Sequence, residues 1–233
     1  MRDVRPGTIP FAVLASGSGT NMQALLDHED HGASYRIELL IVDRPCAAEQ
    51  RARAKGRAVH RVDFARPGEA VGADILELLN RHGARGVLLA GFLRLLPADV
   101  CREYDGRILN IHPALLPSFG GKGMHGTRVH KEVVRSGASL SGPTIHFVNP
   151  RYDEGTILAQ WPVPVVPGDT PATLARRVLK VEHLLYPAAA DALARALAAG
   201  DAPPTFRWPE PRWADDAVEL GERITKAFGG AGE

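Results

Sequence analysis

Between Ile9 and Pro113, five short apolar runs alternate with stretches of helical periodicity. "IPFAVLAS", "RIELLIVD", "AVHRVDF", "GVLLAGF" and "RILNIHP" read as strands. Between the first four lie three helical patterns. "NMQALLDH" places Met22, Leu25 and Leu26 on one side, "CAAEQRARAKG" is stopped by Gly56, and Glu69 to Arg81 buries Ile75, Leu78 and Leu79. "GVLLAGF" is apolar enough to be covered on both faces. This rhythm predicts an α/β fold of three layers: a mostly parallel twisted sheet, Rossmann-like, with helices on both faces. Ligands of such sheets bind outside the carboxyl ends of the strands. Gly17 to Asn21, Gly91 to Leu96 and Asn110 to Pro113 all follow or close predicted strands, so three loops converge on one edge.

After Pro117 the pattern changes. Thr127 to Arg135 looks helical, and "SLSGPTIHFVNP" and "TILAQWPVPVV" alternate like strands joined by "RYDEG". These strands predict an antiparallel extension of the sheet in the C-terminal half. Thr170 to Ala199 is one long helical pattern with Thr170 as N-cap, Pro171 at the first position, and a break or kink at Pro187. The tail from Asp201, "DAPPTFRWPEPRW", reads as irregular, with a short helix near the end. Leu116–Pro117 is a bond whose isomer sequence leaves open.

Composition narrows the function classes. In a chain of 233 residues, 45% hydrophobic content guarantees a core. A net charge of +1, with no basic run interleaved with aromatics, offers no footprint for nucleic acid or an anionic membrane. No apolar run is long enough to span a bilayer, and "MRDVRPGTIPFAVLASGSG" has no signal-peptide layout. Cys46 and Cys101 are too few and too far apart for a disulfide framework, so a reducing, cytoplasmic compartment is expected. His125 and His130 are five apart with no carboxylate or cysteine to complete a set, so no metal is expected.

Three stretches carry candidate chemistry. In "LASGSGTNMQALL" a strand runs through glycines into a helix, which turns backbone N–H groups and a helix N-terminus towards an anion, a phosphate above all. It is neither a Walker loop nor a full G-x-G-x-x-G, and a plain tight turn would look the same. Asn110 and His112 are two apart in a strand and so project to one face. An amide N–H can stabilise an oxyanion, and an imidazole can donate a hydrogen bond or a proton. Pro113 restricts His112 to extended geometry. A structural Asn and His at a strand end would look no different. Asp153 lies in the turn "NPRYDEG", where aspartates usually bond their own backbone. Beside His112 it would polarise the imidazole, and Glu154 competes for that role.

Together "LASGSGTNMQALL", "LAGFLRLLP", "LNIHPALLPSF" and "HFVNPRYDEGTILAQ" resemble, in order and spacing, the phosphoribosylglycinamide formyltransferases of purine synthesis, from about Phe11 to Pro187. The resemblance implies the Rossmann-like formyltransferase fold as one domain over residues 1–200. A phosphate-binding half would span about 9–106 and a catalytic half about 107–200, followed by the tail 201–233. It implies transfer of a formyl group from the co-substrate 10-formyltetrahydrofolate to the amine of 5′-phosphoribosylglycinamide. Gly19, Thr20 and Asn21 would bind the phosphate, and Glu182 the ribose hydroxyls. Leu93, Arg94, Leu95 and Leu96, with Asn110, would line the pterin pocket, and Arg66 would meet the folate tail. Asn110, His112 and Asp153 would be the catalytic set, His112 as imidazolium. The partners would be these small molecules, and the assembly a monomer or a homodimer.

The chain departs from that pattern in places. Thr20 stands where serine is more usual. Position 179 is Leu179 where some relatives have lysine, and "SFGGKGMHG" is unusually glycine-rich, suggesting a mobile segment over the site. A formyltetrahydrofolate hydrolase is the nearest rival, but would carry a regulatory domain before Phe11. A methionyl-tRNA formyltransferase would carry a basic domain after Asp201. A non-catalytic nucleotide-binding protein is the rival of a different class.

Overall fold

A computed structural model describes residues 7–206 and 217–228. The chain runs β1 (Ile9–Ala15), α1 (Thr20–Asp30), β2 (Tyr35–Val42), α2 (Ala47–Ala54), β3 (Ala58–Arg61), α3 (Gly68–Arg81), β4 (Gly86–Leu89), α4 (Ala98–Glu103) and β5 (Ile108–His112). It continues through α5 (Thr127–Ser136), β6 (Leu140–Ser141), β7 (Thr144–Phe147), β8 (Ile157–Gln160), β9 (Val163–Pro164), α6 (Pro171–Ala199) and α7 (Ala217–Ala227). The main sheet has the order β3-β2-β1-β4-β5-β7-β8. Its first five strands are parallel; β7 and β8 extend it antiparallel.

Alternation along the strands builds two cores. Phe11, Val13 and Ala15 of β1 pack into one, beneath α1, α5, α6 and α7, while Ala12 and Leu14 pack into the other, beneath α3 and α4. The pairing of β1 with β2 skips Glu38, between the pairs Phe11↔Ile37 and Ala12↔Leu39. This bulge lets Tyr35 and Ile37 share a face with Leu40 and Val42 despite the odd spacing. On α3, Val71, Ile75 and Leu79 recur every fourth residue and face the second core.

The structure differs from the sequence expectation in three places. Each of the two extended strands is divided. Gly142 cannot carry a side chain, because a Cβ there would lie 1.8 Å from the Trp161 carbonyl oxygen. The short segments β6 and β9 on the far side of this crossing pair as a separate two-stranded sheet. α6 also runs unbroken through Pro187 for 29 residues. The ends follow the sequence, with the Thr170 side chain accepting from Thr173 N–H at 3.2 Å and Gly200 in the left-handed region at φ 75. Finally, α4 bridges β4 and β5 without a strong signal, six residues introduced by Pro97. In the tail, 201–206 are irregular and α7 returns to bury Leu220 and Ile224 in the first core; the rest of the proline-rich stretch lies outside the described residues. Among the described residues no helix is long and apolar enough to cross a membrane.

Candidate active site

The strand order reverses direction between β1 and β4, so the carboxyl ends of these strands open a crevice. Ser16 seals its floor: its N–H donates to the Gly91 carbonyl at 3.1 Å and its Oγ accepts from Leu93 N–H at 3.0 Å. Above lies a cleft of about 620 Å³, whose walls come from the loop after β1, the ends of β4 and β5, residues 121–127 and the start of α6.

At one end of the cleft Gly19 is the residue before α1, in the left-handed region at φ 72 and with no side-chain cap. A Cβ there would lie 2.7 Å from Ala48 Cα, so only glycine lets the loop pass this close to α2. The first-turn N–H groups of α1 are thereby left to a ligand. Thr20 and Asn21 line the cleft. Asn21 Nδ2 donates to Glu182 Oε2 at 2.6 Å, while Asn21 Oδ1 is buried without a partner. Burial raises the Glu182 carboxyl above its usual range, against the Asn21 hydrogen bond, which lowers it. A buried carboxyl and an unpaired amide oxygen suit a ligand that brings hydroxyl donors.

At the other end Asn110 and His112 project from β5 as the two-residue spacing requires. Asn110 faces His146 of β7 in the strand register, and its Nδ2 lies 2.9 Å from His146 Nε2. His146 Nδ1 lies 2.9 Å from the Phe147 carbonyl oxygen. One tautomer serves both bonds: Nδ1–H donates to the carbonyl and Nε2 accepts from the amide. The second N–H of the Asn110 amide remains for the cleft.

His112 is 3% exposed. Its Nε2 donates to the Phe119 carbonyl at 2.9 Å, and its Nδ1 lies 3.6 Å from Asp153 Oδ2. Burial lowers the His112 pKa, and the neighbouring His146 lowers it further; Asp153 and the Phe119 carbonyl oppose them, and the balance is below the ordinary imidazole value. The ligand-free imidazole is therefore mostly neutral at pH 7. The imidazolium expected from sequence has to form during a reaction rather than wait for it. Asp153 sits at φ 56, a region Asp tolerates better than most residues, and its Oδ2 accepts from Gly121 N–H at 2.9 Å. Burial works to raise its carboxyl, but the imidazoles of His146 and His112 and the Gly121 N–H hold it below the usual value. Its competitor Glu154 pairs instead with Arg151 at the surface. Gly155 allows the turn: a Cβ there would lie 1.7 Å from the Phe147 carbonyl oxygen.

Two further residues carry this geometry and were not singled out by sequence. His146 had no visible partner until the register placed it opposite Asn110. Thr144, opposite His112, donates to the Ala114 carbonyl at 2.7 Å and accepts from Leu116 N–H at 3.0 Å and Gln160 Nε2 at 3.0 Å. It clamps the Pro113–Pro117 segment, whose Leu116–Pro117 bond is cis. Thr144→Val keeps the shape and strands the Leu116 N–H. It is expected to lower unfolding free energy by about 1–3 kcal/mol, read from denaturant midpoints. An unchanged midpoint would mean that the prolines alone hold the segment.

The structure divides the other expected residues. Gly19 underlies the loop, and Leu93 lines the cleft beside Phe92. Leu96 packs instead into the core beneath α4, Leu95 is exposed, Arg94 pairs with Asp43 at 2.8 Å, and Arg66 pairs with Asp74. Residues 121–126, expected as a mobile cover, form one wall of the cleft. Among the described residues no group of three or more His, Cys, Asp or Glu side chains is arranged to hold a metal.

The sequence profile of the formyl transferase family matches residues 10–190. A chloroplastic phosphoribosylglycinamide formyltransferase of Arabidopsis thaliana is 45% identical over 183 residues, covering 76% of this chain and 62% of the relative. The chain thus spans about three fifths of the length of such curated plant relatives. The solved structure of glycinamide ribonucleotide transformylase 1 from Symbiobacterium toebii superposes with a TM-score of 0.76 at 37% identity, covering 84% of this chain and 92% of that one. The phosphoribosylglycinamide formyltransferase of Brucella melitensis gives a TM-score of 0.72 at 38% identity, covering 83% and 97%. With the family profile spanning most of its length, this chain belongs to the formyl transferase family.

Proposed function

We propose that this protein transfers the formyl group of 10-formyltetrahydrofolate to the amine of 5′-phosphoribosylglycinamide, giving 5′-phosphoribosyl-N-formylglycinamide and tetrahydrofolate in purine synthesis. The observation that carries this reading is that one cleft joins an uncapped helix N-terminus and the Asn21–Glu182 pair to Asn110, His112 and Asp153. The phosphate sits at the start of α1 and the ribose hydroxyls meet Glu182 and the unpaired Asn21 Oδ1. Phe92, Leu93 and Ile111 offer an apolar surface to the pterin. A reducing, cytoplasmic setting belongs to this reading, since two cysteines are too few for a disulfide framework. Residues 1–200 form the catalytic unit.

The amine attacks the formyl carbon and an oxyanion forms. Asn110 donates its second amide N–H to that oxygen. In the free protein His112 Nε2–H is taken by the Phe119 carbonyl; the formyl oxygen replaces it. The proton that the amine loses passes through water beside Asp153 to the free Nδ1 of neutral His112, whose Nε2–H stays on the oxyanion, and the imidazolium, supported by Asp153, returns it by the same route to the departing folate nitrogen. Proton count is conserved and Asp153 stays ionised throughout. Holding both substrates in line supplies about 7–11 kcal/mol of the barrier.

The test is a paired incubation with 10-formyltetrahydrofolate, with and without 5′-phosphoribosylglycinamide, following tetrahydrofolate release and formylated product by mass. Release that requires the ribonucleotide and matches product is expected. Equal release in its absence would make the protein a hydrolase, and no release by folded protein would make it a binding protein.

A further inference from the structure

Three buried polar side chains line the cleft: Glu182 at the ribonucleotide end, His112 at the reacting end, and His130 on α5. The first two have hydrogen-bond partners. His130 is only 5% exposed, and its Nδ1 is buried with no partner. It belongs to the inward stripe of α5 with Val129 and Val133, where an aliphatic side chain would satisfy packing. An unpaired buried nitrogen there weakens the fold unless something else completes it.

Resting on the proposed function, we propose that His130 holds the glycinamide arm of the ribonucleotide through Nδ1, fixing the attacking amine beside His112. The arm links the ribose, held near Glu182, to the formyl centre, and its N–H groups are donors that a neutral imidazole nitrogen accepts. Burial, with a smaller push from nearby His112, lowers the His130 pKa to about 4. It therefore remains uncharged while positive charge builds on the amine and on His112, and it neither repels that charge nor competes for the proton. His130 is on this account a substrate-positioning residue, not the base.

The variants are His130→Leu, which removes the acceptor, and His130→Gln, which restores one. Steady-state kinetics with both substrates are paired with equilibrium binding of 5′-phosphoribosylglycinamide and of ribose 5-phosphate, which lacks the arm. His130→Leu is expected to lower kcat/KM for the ribonucleotide about 10- to 100-fold, with the KM for the folate unchanged and ribose 5-phosphate bound as by wild type. Its melting temperature should be equal or higher, because the orphaned nitrogen is gone, and His130→Gln should recover part of the rate. A kcat/KM within twofold of wild type, or equal weakening of both phosphates, would overturn the inference and leave the proposed function standing. Failure of wild-type protein to formylate the ribonucleotide would instead overturn the functional reading.

Discussion

Asn110→Ala is expected to lower kcat by about 10²–10³, with both KM values close to wild type. The argument begins in β5, where strand periodicity turns Asn110 and His112 to the same face. One Asn110 amide hydrogen is committed to His146 Nε2 at 2.9 Å, and this bond fixes the direction of the other. A donor so fixed needs no reorganisation when the oxyanion appears, which is why its removal costs turnover rather than affinity. Alanine also deprives the buried His146 of a hydrogen bond, so unfolding should be measured alongside rate. His146→Gln separates the two effects: it disturbs the anchor of the amide while leaving the amide itself, and a smaller fall in kcat should result. A kcat for Asn110→Ala within tenfold of wild type would remove this residue from the reacting centre.

Much of the fold could be read along the chain because each parallel strand is an apolar run and each of the first three helices a periodic one. α4 escaped because six residues give too little periodicity, although a parallel step from β4 to β5 demands a crossover there. The division of the last strands escaped because it depends on a close approach of Gly142 to the Trp161 backbone, 19 residues on. Pro187 does not break α6: the loss of one backbone bond is offset by burial of the surrounding helix face, with Leu185, Tyr186, Ala189 and Ala190 all inside. In the site, residues held within one motif were legible. Residues paired across the sheet were not, since His146 and Thr144 acquire meaning only from the register of β5 with β7. The same holds for Arg66 and Arg94. Their charges invite a role in ligand binding, and the ion pairs they make with Asp74 and Asp43 were not legible in the sequence.

Asp153→Asn is expected to have the larger effect, a fall in kcat of about 10³–10⁴, by analogy with loss of the carboxylate that supports a catalytic imidazole. Asparagine is the right replacement because it tolerates the left-handed backbone at φ 56 and still accepts from Gly121 N–H. What disappears is charge. In the wild-type protein the carboxylate is one of two influences that raise the His112 pKa against burial. Without it His112 titrates at still lower pH, so the acid limb of kcat/KM, where His112 becomes protonated and ceases to accept the amine's proton, moves down in pH as the plateau falls. The stability effect has its own sign. Asp153 has a folded pKa below its unfolded one, so its ionised form stabilises the fold above about pH 4, and that contribution is lost as pH falls through the folded value. Asp153→Asn should therefore be less stable than wild type at pH 7 and converge with it in acid. An acid limb that stays in place while kcat falls would assign the limb to another group and confine Asp153 to holding the 121–126 wall.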